Sequence, residues 1–123
     1  MKYKTFKYKN YGNCSFHVCN YMANSDAMYI GILDKDGSLV SACTINEPNY
    51  SYLENTATIK NYTENTGMTN FLLKLGVIEQ VLTKKYFRMF DTFSKDSIDF
   101  CEINIDTLKK YSSKFNYKYS TDY

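Results

Sequence analysis

The sequence predicts an α+β fold, with an antiparallel sheet of about five to six strands and one or two short helices packed on one face. Two-residue alternation of apolar and polar side chains fills much of the first half, as in NCSFHVCN at 13–20. An Asp-Gly step at 36–37 separates two apolar runs, and glycine there takes the positive φ of a tight hairpin. Further on, Met68, Phe71, Leu72 and Leu75 fall three or four residues apart, the spacing of one helical stripe.

The elements follow in order. Residues 3–9 read as extended, with Lys2, Lys4, Phe6 and Tyr8 on one face and Tyr3, Thr5, Lys7 and Lys9 on the other. Both faces are mixed, which predicts an exposed edge strand guarded by lysine. In 13–20, Cys14, Phe16 and Val18 share one face and Ser15, His17 and Cys19 the other. Residues 27–33 (AMYIGIL) and 38–45 (SLVSACTI) continue from it as an antiparallel meander around the turn Asp34–Gly37. Pro48 cannot donate to a ladder, so a central strand stops before it.

Residues 56–60 predict a short strand. Asn65 or Thr66 is placed to cap the helix after it by accepting an orphan backbone N–H, and Gly76 suits the left-handed position past its end. β-branched and aromatic residues over 77–93 favour one or two strands. Residues 99–105 predict a strand with Cys101, Ile103 and Ile105 inward. Asp106 then caps a short helix whose stripe is Leu108, Tyr111, Ser112 and Phe115. The tail 116–123 is expected to fray. No repeat or linker divides the chain, so residues 1–123 are expected to form a single domain.

Composition narrows the function classes. The 123 residues are 44% apolar, enough for one core at this length, and the net charge is only +2. Such a balance creates no overall field that selects nucleic acid or an anionic membrane. No apolar run approaches the roughly 20 residues that span a bilayer, and the lysine-rich start has no apolar h-region. The expectation is a soluble, cytoplasmic protein of a bacterial host cell. Fourteen lysines against one arginine, with 13 tyrosines and 12 asparagines, match AT-rich codon usage. The tyrosines also suit a binding surface, since Tyr adds contact area at low entropy cost.

Reactive chemistry finds little support. Cys14, His17 and Cys19 lie close in sequence, but an odd spacing puts the two cysteines on opposite faces of a strand. No C-x-x-C knuckle is present to wrap a metal. His17 is the sole histidine, and the carboxylates are dispersed. Asp34 and Asp36 suit turn chemistry and lack the spacing of a calcium loop. No phosphate-binding, metalloprotease or serine-hydrolase motif occurs. No residue is therefore assigned a catalytic, cofactor-binding or metal-binding role, and the chain is expected not to be an enzyme.

Two segments remain. KYKTFKYKNY at the start and KKYSSKFNYKYS near the end combine lysine with tyrosine, as surfaces for single-stranded nucleic acid do. The near absence of arginine removes the usual bidentate reader of phosphate and guanine, so nucleic acid is the alternative partner. The other segment, INEPNYSYLENTATIKNYTENTG at 45–67, is longer than most connections, and such loops in compact domains are usually functional or disordered. Ile45, Leu53, Ala57 and Ile59 offer apolar anchors for an ordered loop. Its partner-binding residues are expected to be Glu47, Tyr50, Tyr52, Glu54, Asn61, Tyr62, Glu64 and Asn65. Tyrosines supply buried anchors, and the acids steer toward a basic partner.

The order SLVSACTIN, LENTATIKNYTEN, NFLLKLGVI and FCEINIDTLKKY resembles a family of small uncharacterised accessory proteins from plasmids, conjugative elements and phages of Firmicutes. The corresponding positions are Thr44, Ile45 and Asn46, then Ala57, Ile59, Asn61 and Asn65, then Phe71, Leu72 and Gly76. The chain has Lys60-Asn61-Tyr62 where the family tends to Asp-Thr-Asn, and it lacks a Tyr-Pro pair before the last strand. The family has no settled activity, so the resemblance implies context and no chemistry. Small proteins in that setting often inhibit host defence. The expected partner is a host protein, such as a Cas effector or another defence nuclease component. No membrane partner is expected, and a homodimer through an edge strand is permitted.

Overall fold

The computed structural model describes residues 2–23, 26–47, 52–86 and 96–119. Among them are nine strands and two α-helices, an α+β architecture as predicted. The strands divide between two sheets. In the first lie β1 (Phe6–Lys7), β2 (Asn13–Asn20), β3 (Met28–Leu33), β4 (Leu39–Ala42) and β9 (Ser112–Phe115). The second has the order β5 (Thr44–Ile45), β6 (Thr56–Asn61), β8 (Ser97–Ile103) and β7 (Ile78–Tyr86). Helix α1 (Met68–Leu75) links β6 to β7, and α2 (Ile105–Lys110) links β8 to β9.

β2, β3 and β4 form the predicted meander. At its turn the Asp34 side chain accepts from the backbone N–H groups of Asp36 and Ser38, both at 2.9 Å, and Gly37 has φ 84°. The run 39–45 then changes sheets at Cys43, whose N–H donates to Ile30 O in the first sheet while its carbonyl accepts from Lys60 N in the second. A strand that switches sheets makes a corner between them. Thr44 reinforces it, its hydroxyl accepting from Ile30 N at 3.1 Å.

One core cluster draws on both sheets and both helices, with Phe16, Val18, Ile30, Ile32, Ile59, Leu72, Cys101 and Leu108 all at its centre. The predicted inward face of β2 is buried throughout. Met68 and Leu72 of the α1 stripe are buried, and Phe71 and Leu75 pack against the cluster. After α1, Gly76 (φ 87°) and Val77 donate to the carbonyls of Leu73 and Leu72, the paired bonds that close a helix C-terminus. A Cβ at Gly76 would meet only Thr107 Cγ2, at an ordinary 3.6 Å. Gly76→Ala should therefore cost about 1 kcal/mol from backbone conformation alone, read as a small fall in urea midpoint at constant slope.

Several local expectations are corrected. Phe6 and Tyr8 are buried, not exposed on an edge, because their rings pack on Phe71 at 5.7 and 5.3 Å. Neither Asn65 nor Thr66 caps α1. Instead the Asn61 side chain, reaching back from the end of β6, accepts from Gly67 N and Thr69 N, each at 3.1 Å. Asn104 caps α2 by accepting from Thr107 N, and Asp106 sits in the first turn. The stripe Leu108–Phe115 does not stay helical. Ser112 Oγ takes the Leu108 carbonyl at 2.6 Å, and the chain enters β9, which pairs parallel with β2. Ile105 begins α2 and does not extend β8.

Residues 116–119 are also held: Asn116 N donates to Val18 O, and Tyr117 Oη to Asp26 O. Residues 120–123, Pro48 and the stretch 87–93 fall outside the described residues, so the expected fraying beyond 119 and any second strand there do as well. The strand expected within 77–93 is present as β7.

Candidate functional site

The segment 45–67 was the expected docking loop, and the fold divides it. Tyr52 is buried: its hydroxyl pairs with Thr58 Oγ1 at 2.6 Å and accepts from Glu47 N at 3.0 Å. Asn65, only 2% exposed, accepts from Ser41 Oγ and donates to the Ala42 carbonyl, tying the turn before α1 to β4. Asn61 caps α1 and donates to Ser97 Oγ at 3.1 Å. These three side chains face inward and organise the connection.

Glu54 is exposed before β6, while half-buried Tyr62 and exposed Glu64 follow it. A six-residue strand holds these ends about 20 Å apart. Lys60 pairs with Glu64 at 3.0 Å and lies 5.4 Å from the Tyr62 ring centroid. Bonds from the Thr63 hydroxyl and Lys60 hold the Glu64 carboxyl well below the usual range. Tyr50 lies outside the described residues.

Next to Asn61 is a polar cluster that no sequence pattern indicated. Asp99 of β8 is fully buried. One of its oxygens receives Lys84 Nζ at 2.7 Å and Thr69 Oγ1 at 2.5 Å. Lys84 also reaches Ser97 Oγ at 3.3 Å. Two register shifts in β7 make this geometry: the second, between Val81 and Thr83, brings Lys84 opposite Asp99. A bulge re-aims a side chain by inserting one residue into one strand of the pair. The cluster joins β6, β7 and β8 to the start of α1, which makes it a structural clamp.

Burial disfavours the thiolate at all four cysteines. Burial pushes Cys43 up strongly, and burial together with the Asp99 charge pushes Cys101 up to about 12. A neutral thiol is a poor nucleophile. Burial also raises Cys19, while the His17 ring meets Tyr29 edge-on at 6.1 Å. Among the described residues, no three His, Cys, Asp or Glu side chains gather to hold a metal ion.

Two surfaces carry concentrated charge. At one end of the second sheet, Asn55, Glu79, Glu102, Asn104 and Asp106 line a polar cleft of about 280 Å³, and exposed Glu54 directly precedes Asn55. Gln80 donates to Glu102 and Asn104 to Glu79, both at 3.1 Å, which orients two of the carboxylates. Among the described residues, the ion pairs use Glu64 and Asp99, and none of these four acids.

The opposite charge collects where the two lysine–tyrosine segments meet. Lys4 N donates to Lys110 O at 2.7 Å, and Tyr3, Lys109, Ser112, Ser113 and Phe115 line a groove of about 410 Å³.

The fold and these surfaces define a small two-sheet α+β domain with an acidic cleft that includes Asp106 and a groove that includes Lys109, both on α2. The chain matches no protein-family model, no curated protein and no solved structure. Among the described residues no helix is long and apolar enough to cross a membrane.

Proposed function

We propose that this chain is a non-enzymatic binding protein of a phage or other mobile element that inhibits a host defence protein. Its most concrete form is an anti-CRISPR-like inhibitor that occludes a basic nucleic-acid-binding surface. One observation carries the reading: Glu79, Glu102 and Asp106 come together around one cleft with no lysine paired to them among the described residues. Uncompensated carboxylates on one face complement a cationic channel and speed encounter with it. Of the acids expected from 45–67, none lines this cleft: Glu54 only precedes its Asn55 in the chain, and Glu64 is paired with Lys60 beyond the far end of β6. The resemblance to accessory proteins of Firmicute mobile elements supports the context.

The test is target-DNA cleavage by purified Cas effector complexes of Firmicute origin, with and without the protein. Inhibition of at least one effector is expected, together with rescue of a targeted phage in a host carrying that system. The Glu79→Lys/Asp106→Lys variant should lose inhibition by at least about tenfold, since like charges at an interface are costly, while its melting curve shows a folded protein. No inhibition of any effector and no phage rescue would remove the proposal.

A further inference from the structure

We propose that the lysine edge and the adjoining outer face of the first sheet bind a single-stranded polynucleotide, independently of the acidic cleft. Segments 2–9 and 109–118 contain eight lysines and no carboxylate, leaving 7 cations against 13 carboxylates in the rest of the chain. The modest net charge thus conceals a strongly basic edge. The fold assembles it from the two ends of the chain: β1 and β9 lie along the same side of β2, one after the other.

Aromatic surface accompanies the charge. In the groove, Lys109 Nζ lies 5.2 Å from the Phe115 ring centroid, and Tyr3 is 48% exposed. On the other side of β9, Lys114 sits opposite His17 in the register. It borders a shallow depression of about 500 Å³ whose lining includes His17, Tyr21, Tyr29 and Leu39. The Tyr29 ring meets Tyr21 edge-on at 5.7 Å and His17 edge-on at 6.1 Å. Gly31 makes room for it, since a Cβ there would come within 2.7 Å of Tyr29 Oη.

Lysines along a path and aromatic rings beside it are the two parts of a single-strand site: phosphates follow the cations and unstacked bases lie on the rings. A duplex keeps its base faces covered and cannot use the rings. With lysine as a compact point charge in place of the arginine fork, binding should tolerate any sequence.

Fluorescence anisotropy with a labelled oligothymidine of about 20 nucleotides tests this, since a single-strand site commonly covers roughly 4–16 nucleotides. Binding should be micromolar at 50 mM salt and weaken roughly 50-fold by 200 mM if about four phosphates are neutralised. Lys109→Glu/Lys114→Glu should lower affinity at least tenfold and flatten the salt slope. Tyr29→Ala should lower affinity severalfold and leave the slope unchanged, which separates stacking from charge. Lys85→Glu, on β7, should change little, and Glu79→Lys/Asp106→Lys should not weaken binding, so this test and that of the inhibitor function fail separately. Melting curves establish that each variant is folded. No binding at 50 mM salt, an equal loss from Lys85→Glu, tighter binding to duplex, or binding only to phosphatidylserine vesicles would overturn the proposal.

Discussion

Phe16→Ala should lower the unfolding free energy by about 3–5 kcal/mol, the usual cost of emptying a buried phenylalanine site. Phe16 is fully buried, and its ring centroid lies 4.5 Å from that of Phe6. It stands opposite Ile32 on one side of β2 and Ser112 on the other. β2 is the strand on which β1, β3 and β9 all pair, so the cavity would open where three strands depend on one. Against a typical total of about 5–15 kcal/mol, the variant should be marginal. The melting temperature should fall by about 10–20 °C, on the scaling for a domain of this size. Phe16→Leu keeps most of the volume and should cost about 1–1.5 kcal/mol. Urea denaturation of the two variants checks both figures, and a loss under 1 kcal/mol for alanine would mean that β2 is not the central strand.

Lys84→Met should cost about 3 kcal/mol, although the side chain is one-third exposed. The reason lies in its partner. Asp99 is buried with one oxygen on Lys84 and Thr69 and the other without a hydrogen bond. Losing the ammonium leaves a carboxylate with a hydroxyl as its remaining side-chain donor, and an uncompensated buried charge is far costlier than a missing pair. The exposure of Lys84 puts the cost at the lower end of the usual range. The double variant Lys84→Met/Asp99→Leu should then recover much of the loss, because apolar replacement of a buried pair is often neutral. A double-mutant cycle by thermal and urea denaturation measures the coupling. Strictly additive effects would show that the pair is not coupled.

Both variants depend on contacts that differ in how far the sequence reveals them. Phe16 was legible, because alternation along 13–20 marks its face as inward whatever the strand pairs with. The Asp34–Gly37 hairpin, the α1 stripe and the Gly76 ending were legible for a similar reason: each is a short-range pattern answering a short-range steric or hydrogen-bonding demand. Lys84 and Asp99 were not. Pairing continued without a shift from Ile78 and Ile103 would set Lys84 opposite Ser97, and only the two register shifts in β7 bring it opposite Asp99.

The docking segment shows the same limit. Tyr52, Asn61 and Asn65 look like surface polar residues in a loop, yet their partners are Thr58, Ser97 and β4 backbone, or a helix start several residues away. Asn61 displaced the nearer capping candidates because β6 ends where its side chain can reach two orphan N–H groups at once. The helical reading of 111–115 yielded to the open side of β2 beyond β1, where a strand could satisfy backbone groups that helix propensity alone would not. The acidic cleft could not be anticipated, since Glu79, Glu102 and Asp106 come from three different elements, β7, β8 and α2.

By itself, then, the sequence determined the α+β class, the meander and its turn, the first helix and the inward face of most strands. Those features follow from periodicity and from the φ that glycine permits, which act over a few residues. Tertiary structure alone decided the division into two sheets, the corner at Cys43, the clamp around Asp99 and the gathering of acids around one cleft and of lysines along the β1–β9 edge. The cause is that pairing register and strand order depend on long-range burial and backbone hydrogen bonding, to which no single stretch of chain has access.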